Sequence, residues 1–455
     1  MRSDGYARQD RVGAAGADVL RIGETVVLVA VDEVDIVEPW FHPAWPLCRA
    51  LGALGFGFVH LLGAGMFGEE FSLLMESFPF ARDDPPPGDA PPGDVVLHLG
   101  SDPGLREDWA RLALSRSSRF ASLSWGPTWV AMQSLEGILL GAGAKDRTPR
   151  TGEEPLEPIA RIAAGLALQE ALIFAGQLDE AAPPAPLVWF DATSETRGQQ
   201  EGQSEWPEVW IENEVLEVMG AGAVGTHLLE SLAPMLGPGC ELRIADFDEV
   251  GPENLATQPV FSADDVGRPK AIAMAEKLAP LCNPGLMIQP LVMRYQDRPS
   301  TLSAPSLRIA CPDSFAARKY ANDCSLADGI PLLEAGSAPL AAQQRSYLPG
   351  RTACLAHRIP NLAERAASER DSASCWQDRA LTLPGTSMIC GGILAAEALR
   401  ALQPEGFGWP SAGTIVYDAR FPERFGVIDP RPPCLHPRSA RTSGRGEGAP
   451  GGHPR

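Results

Sequence analysis

Val215 to Gly225 reads VLEVMGAGAVG, and this stretch decides the fold. A short apolar run leads into Gly220, Gly222 and Gly225, a G-x-G-x-x-G turn, and then into a helical pattern. A second apolar run, LRIADFD, ends at Asp246. This is the spacing of a strand–turn–helix unit that cradles a nucleotide. The first glycine allows the tight turn, the second lets backbone N–H groups approach a phosphate, and the third lets helix and strand pack closely. The helix N-terminus then faces an anion, and a carboxylate about twenty residues on can bind ribose hydroxyls. A glycine turn alone more often marks a dehydrogenase, so the residues after it carry the decision.

Outward from this unit the chain repeats itself. GLALQEAL (165–172) is matched by GILAAEAL (392–399), and VWFDA (188–192) by IVYDA (415–419). The spacing from Glu170 to Asp191 equals that from Glu397 to Asp418. LHLGSDPGLREDWARLAL (97–114) parallels RIACPDSFAARKYANDCSL (308–326), setting Asp102 opposite Asp313. The first strands are TVVLVAV (25–31) and VLEVM (215–219), but the former runs into DEVDIVEPW, which has no glycine. The reading is α/β: two Rossmann-like domains in a pseudo-dimer, the first degenerate. The expected division is 1–193 for the degenerate copy, 194–208 for a polar linker, 209–436 for the active copy with an insertion, and 437–455 for a disordered Gly/Arg/Ser/Pro tail.

The chain has 455 residues, a formal net charge of -20 and nine cysteines. An acidic surface argues against nucleic acid or an anionic membrane as partner. The sequence shows no signal pattern, and no apolar run is expected to reach the length of a membrane span. An odd number of scattered cysteines fits a reduced, cytoplasmic protein rather than a disulfide framework.

After Asp246 the chain runs ADFDEVGPENLATQPVFSADDVGRPKAIAMAEKLAPLCNP. This resembles the ThiF/MoeB/ubiquitin-activating superfamily, whose pattern is carried by Asp246, Asp248, Val250, Asn254, Leu255, Gln258, Phe261, Asp265, Gly267, Lys270, Asn283 and Pro284. YARQ (6–9) is similar to the motif that opens such domains. The resemblance implies an enzyme that uses ATP and Mg²⁺ to adenylate the C-terminal glycine of a ubiquitin-like protein. It places Gly220, Gly222, Gly225, Asp246, Asp248, Asn254, Gln258 and Lys270 around the nucleotide, Asp313 on Mg²⁺, and Arg8 across the pseudo-dimer on the phosphates. Adenylation brings a carboxylate to a polyanion, so neutralising cations and oxygen ligands for a hard metal are what the chemistry needs. The sequence departs from the family at Thr257, where an arginine is usual, and at Ala310, where an aspartate is; Arg268 stands nearby in sequence.

The resemblance also implies that Cys375, in SASCWQDR, is a thioester nucleophile. Cys354-x-x-His357 and Cys434-x-His436 stand where the family often binds zinc; the alternative is a degenerate, metal-free site. Cys240, Cys282, Cys311, Cys324 and Cys390 sit in apolar contexts and are expected to be buried, and His60, His98 and His227 lack partners at ligand or triad spacing.

Three functions follow as expectations. The first is an activating enzyme that hands its ubiquitin-like partner to a conjugating enzyme. Gly-, Ala-, Pro- and Arg-rich usage extends it, by analogy, to a bacterial conjugation operon in antiphage defence. The second is a sulfur-carrier adenylyltransferase. The third, motivated by Thr257, is a catalytically inactive binding scaffold.

Overall fold

The computed structural model describes residues 19–32, 42–56, 58–62, 80–83, 89–100, 102–139, 156–176, 181–193, 211–371 and 383–434. Two sheets stand in one molecule. The first holds β1 (Val26–Val31), β2 (Phe58–Leu62), β3 (Phe80–Asp83), β4 (Val95–Leu99), β5 (Arg119–Trp125), β6 (Trp129–Ser134) and β7 (Leu187–Asp191), in the order β3-β2-β1-β4-β5-β6-β7. The second holds β8 (Val215–Met219), β9 (Glu241–Ala245), β10 (Met287–Leu291), β11 (Leu307–Ala310), β12 (Leu332–Ser337), β13 (Ala341–Tyr347), β14 (Thr414–Asp418) and β15 (Phe425–Ile428), in the order β10-β9-β8-β11-β12-β13-β14-β15.

The two orders coincide strand for strand, with β15 added to the second. Pairing is parallel up to β5 and β12 and antiparallel beyond them. Strands such as VVLVAV, buried on both faces, read as continuous apolar runs, as central parallel strands must. The internal repeat read from sequence is therefore a repeat of topology.

The principal helices are α1 (Ala44–Leu54), α2 (Pro103–Arg116), α3 (Glu157–Gly176), α4 (Ala223–Leu232), α5 (Lys270–Leu278), α6 (Phe315–Asp328), α7 (Leu362–Asp371) and α8 (Pro384–Leu402). The matched segments GLALQEAL and GILAAEAL lie on α3 and α8, which cross at glycines. A Cβ on Gly165 would meet Ile389 Cγ1 at 2.7 Å and the Gly385 carbonyl oxygen at 2.8 Å. A Cβ on Gly392 would meet Ile162 Cγ1 at 2.7 Å and the Pro158 carbonyl oxygen at 2.6 Å. In the repeat alignment Gly165 matches Gly392, Ile162 matches Ile389, and Pro158 matches Gly385. Each contact is made twice with the partners exchanged, which is the signature of a two-fold interface.

One core runs through this crossing, joining Val27, Leu97 and Phe190 of the first half to Leu216, Ile309 and Ile415 of the second. Within α3, Glu157–Ala175 has a mean hydropathy of 1.4 and is 94% buried. This corrects the expectation that no apolar run reaches membrane length: the run exists, and it is the central helix of the core.

The insertion predicted for the second half lies between β13 and α8 and carries α7. Arg8, Cys375, His436, the 194–208 linker and the 437–455 tail fall outside the described residues.

Candidate functional site

In the second sheet the order reverses between β8 and β11, so a crevice opens outside their carboxyl ends. The glycine turn leaves β8 at this point. Gly220 has φ +95°, a conformation that favours glycine, and its N–H donates to the Ala245 carbonyl at 2.9 Å. Gly222 is the N-cap of α4, and a Cβ there would meet nothing within 4 Å, so the turn faces open space. A Cβ on Gly225 would lie 2.0 Å from the Gly220 carbonyl oxygen, which explains the third glycine as a close approach of helix to strand.

Asp246 follows β9 and closes the turn. Its Oδ2 accepts from Ala221 N at 2.6 Å and its Oδ1 from Asp248 N at 2.8 Å. Burial pushes its carboxyl up, while Lys270 and the two backbone donors oppose that. Lys270 opens α5, and its Nζ lies 3.5 Å from Asp248 Oδ2. Only 6% of Lys270 is exposed, so a cation is kept beside the crevice in a poorly hydrated place. Asn254 accepts from Gly251 N at 2.8 Å, closing its own turn, and Gln258 N donates to the Asn254 carbonyl. Gln258 Oε1 is buried without a hydrogen-bond partner among the described residues. Asp313 leaves β11 beside the turn and is exposed.

Arg268 does not replace the arginine missing at Thr257. Its guanidinium is held by Asp265 Oδ1 at 3.1 Å and by Glu276. The Thr257 hydroxyl points back to the Asn254 carbonyl at 3.4 Å.

A second cluster joins the insertion to the segment after β15. Ligand atoms of Cys354, His357 and Cys434 fall within 4.8 Å of one another. Cys354 Sγ is 3.2 Å from His357 Nδ1, and Cys434 Sγ accepts from Cys354 N at 3.3 Å. Three of the four residues predicted for zinc are thus brought together across 80 residues of chain. Two sulfurs and an imidazole suit tetrahedral zinc, with one position left for a further ligand.

The remaining thiols divide. Cys390 is buried inside α8, and burial pushes its thiol up to about 12. Cys240 is buried as expected, but Cys282, Cys311 and Cys324 are only partly so.

The expectation that His98 lacks triad-like partners is overturned. His98 Nδ1 lies 2.9 Å from Ser122 Oγ and Nε2 lies 2.8 Å from Asp32 Oδ1, all buried at the carboxyl ends of the first sheet. His227 likewise has Glu230 at 3.8 Å. The three residues of the first set sit 66 and 24 positions apart, so no local spacing reveals them. Aligning Asp32 with Gly220 through the matched strands is the signal that finds them.

A doubly wound sheet with a glycine turn and carboxylates at its switch point is the architecture of the nucleotide-binding α/β class. A family model described as the ThiF family matches residues 210–426. The SAMP-activating enzyme E1 of Haloferax volcanii is 31% identical over 192 residues, covering 42% of this chain and 67% of that protein. The molybdopterin-synthase adenylyltransferase of Salmonella typhimurium is 28% identical over 208 residues, covering 44% of this chain and 78% of that protein. The human ubiquitin-like modifier-activating enzyme 7 is 36% identical over 163 residues, covering 33% of this chain and 15% of that protein. The chain belongs to the ThiF family. It spans only a small part of the human relative's length.

Proposed function

We propose that the chain activates a ubiquitin-like protein. It would adenylate that protein's C-terminal glycine with Mg·ATP, take it as a thioester on Cys375, and pass it to a conjugating enzyme. The observation that carries the reading is the convergence of Gly220–Gly225, Asp246 and Asp313 at the carboxyl ends of β8, β9 and β11. The open face of Gly222 and the N-terminus of α4 would receive phosphate. Lys270 would neutralise it, and Asp246 would hold ribose. Asn254 and the orphaned Gln258 Oε1 offer further polar contacts. Mg²⁺, when bound, supplies positive charge between the phosphate oxygens, and Asp313 is the carboxylate placed to hold it. Arg8 would add a charge from the first half.

In the first step a carboxylate oxygen bonds to the α-phosphorus and pyrophosphate leaves. In the second a thiolate bonds to the acyl carbon and AMP leaves. Cys48, Cys282 and Cys390 are poor nucleophiles, because burial pushes all three thiols up, Cys282 to about 11. Zinc in the Cys354–His357–Cys434 cluster, with His436 as fourth ligand, would pin the insertion that bears Cys375.

The sulfur-carrier reading stays open for one reason. The Salmonella adenylyltransferase is covered over most of its length, whereas the human activating enzyme is not. Incubation with a ubiquitin-like protein, Mg²⁺ and ATP separates the two. A thiol-reducible adduct that Cys375→Ala removes, with pyrophosphate exchange retained, supports conjugation. Exchange without any adduct in the native chain favours the sulfur-carrier reading. Loss of neither activity in Asp313→Ala would sink the site assignment. A role in antiphage defence rests on analogy, and infection assays with Cys375→Ala would test it.

A further inference from the structure

Helix α4 starts at the glycine turn and ends inside the other half of the molecule. Residues Val224 to Leu232 are all buried. Near its carboxyl end Glu230, 2% exposed, meets two guanidiniums of the first half. Arg49, from α1, donates through Nη2 to Glu230 Oε1, and Arg161, from α3, donates through Nη1 to Oε2 at 3.1 Å. Both carboxylate oxygens are thus engaged, each by a different helix. Arg161 also donates through Nη2 to Glu157 Oε1 at 2.5 Å. His227 lies one turn before Glu230 on α4, and its backbone faces Gly391 of α8 at van der Waals limit, where a Cβ would stand 2.7 Å from His227 Cβ. The helix is therefore pressed on one side by α8 and gripped at its end by charge.

Resting on the reading of the glycine turn as an ATP site, we infer that Arg49 and Arg161 are positioning residues that clamp α4 through Glu230 and so fix the direction of the nucleotide turn at its other end. The argument is geometric. An anion at a helix N-terminus is bound by N–H groups whose aim is set by the helix axis. A rigid helix of 10 residues carries any displacement at Glu230 directly to Gly222. Removing the Glu230 charge takes from buried Arg161 one of its two carboxylates and from partly buried Arg49 the carboxylate it meets, and α1 and α3 must shift to rehydrate them. The half of the molecule without a glycine turn thus serves the half that has one.

Two variants test this on the full chain. Glu230→Gln keeps the shape and removes the charge. Arg49→Gln breaks one of the two pairs at a residue that is partly exposed, and serves if Glu230→Gln does not fold. Hydrogen exchange without nucleotide is the first readout. The amides of Gly220, Ala221 and Thr226, bonded to Ala245, Asp246 and Gly222, should exchange roughly tenfold faster in either variant. Amides of β14 and β15, at the far end of the second sheet, should keep native rates. Pyrophosphate exchange is the second readout. KM for ATP should rise roughly tenfold with kcat little changed, and Glu230→Asp should restore part of the loss. Native exchange rates at those three amides, or equal acceleration everywhere, would overturn the clamp. A native chain that exchanges no pyrophosphate would instead remove the ATP reading, while the amide rates still decide whether the clamp aims the turn.

Discussion

The two halves carry the same crevice, and only one of them is open. In the second half Gly220 leaves β8 with a positive φ, and a Cβ on Gly222 would meet nothing within 4 Å among the described residues. In the first half the matching residue is Asp32, just past β1, and its carboxylate fills the place. Its Oδ1 meets His98 at 2.8 Å and its Oδ2 accepts from Asp102 N at 2.7 Å. A Cβ on Gly100 would lie 2.0 Å from that carboxylate. Asp102 itself caps α2, accepting from Gly104 N and Leu105 N, whereas beside the matching Asp313 the capping falls to Ser314. The first copy has turned an anion site into a site for its own carboxylate.

The sharpest way to break this comparison is to change the two matched aspartates. Asp313→Ala should lower pyrophosphate exchange by at least about 100-fold with little change in stability, since it removes a ligand for charge that develops in the reaction. Asp102→Ala should leave exchange intact and cost about 1 kcal/mol in chemical denaturation, the usual value of an N-cap. Equal effects at the two positions would mean that the halves are not divided as described.

Writing the first half's residue into the second comes next. Gly220→Asp should abolish ATP binding in calorimetry and cost about 1–3 kcal/mol, because φ +95° strains a residue with a side chain. The reverse change, Asp32→Gly, should not create an ATP site. It leaves buried His98 without its acceptor, with a loss of about 1–3 kcal/mol read from urea unfolding.

A milder pair separates packing from binding. Gly222→Ala meets no neighbour within 4 Å, so the melting temperature should hold while KM for ATP rises. Gly392→Ala drives a methyl into Ile162 and the Pro158 carbonyl, and should cost about 1–3 kcal/mol with KM unchanged.

The smallest effect is one of pH. His42 in the first half and His227 in the second are buried, and burial lowers them to about 3 and about 4. Both contribute stability that is complete above pH 6.5 and is lost as pH falls towards 4. Burial raises Glu157 to about 7, so its contribution runs the other way, present at low pH and lost as pH rises through 7. Acidification from pH 7 to 5 should therefore destabilise Glu157→Gln more than the native chain, by roughly 1–2 kcal/mol in denaturant titrations at the two pH values.

Much of this was legible in the residues. The apolar runs, the glycine turn and the match of GLALQEAL with GILAAEAL predict the two sheets and their repeat, because strand burial and backbone conformation are local demands on residue type. The Cys354-x-x-His357 and Cys434 cluster was also readable, since metal ligands must be particular side chains. The Asp32–His98–Ser122 set and the Arg49–Glu230–Arg161 pair were not. Their members come from separate elements, and a buried ion pair looks in sequence like two surface charges. Arg268 misled for the same reason: nearness along the chain to Thr257 says nothing of Asp265 and Glu276, which claim its guanidinium.

The crossing of α3 and α8 has a further consequence. Ala182 N and Ala185 N donate to the carbonyls of Ala419 and Pro422, and Arg424 reaches Glu170 at 3.2 Å, so the halves are joined by hydrogen bonds as well as by the chain. Cleavage of the chain between Thr193 and Ile211 should then leave the two pieces together in gel filtration. On that outcome two genes, one for each half, could specify the same particle.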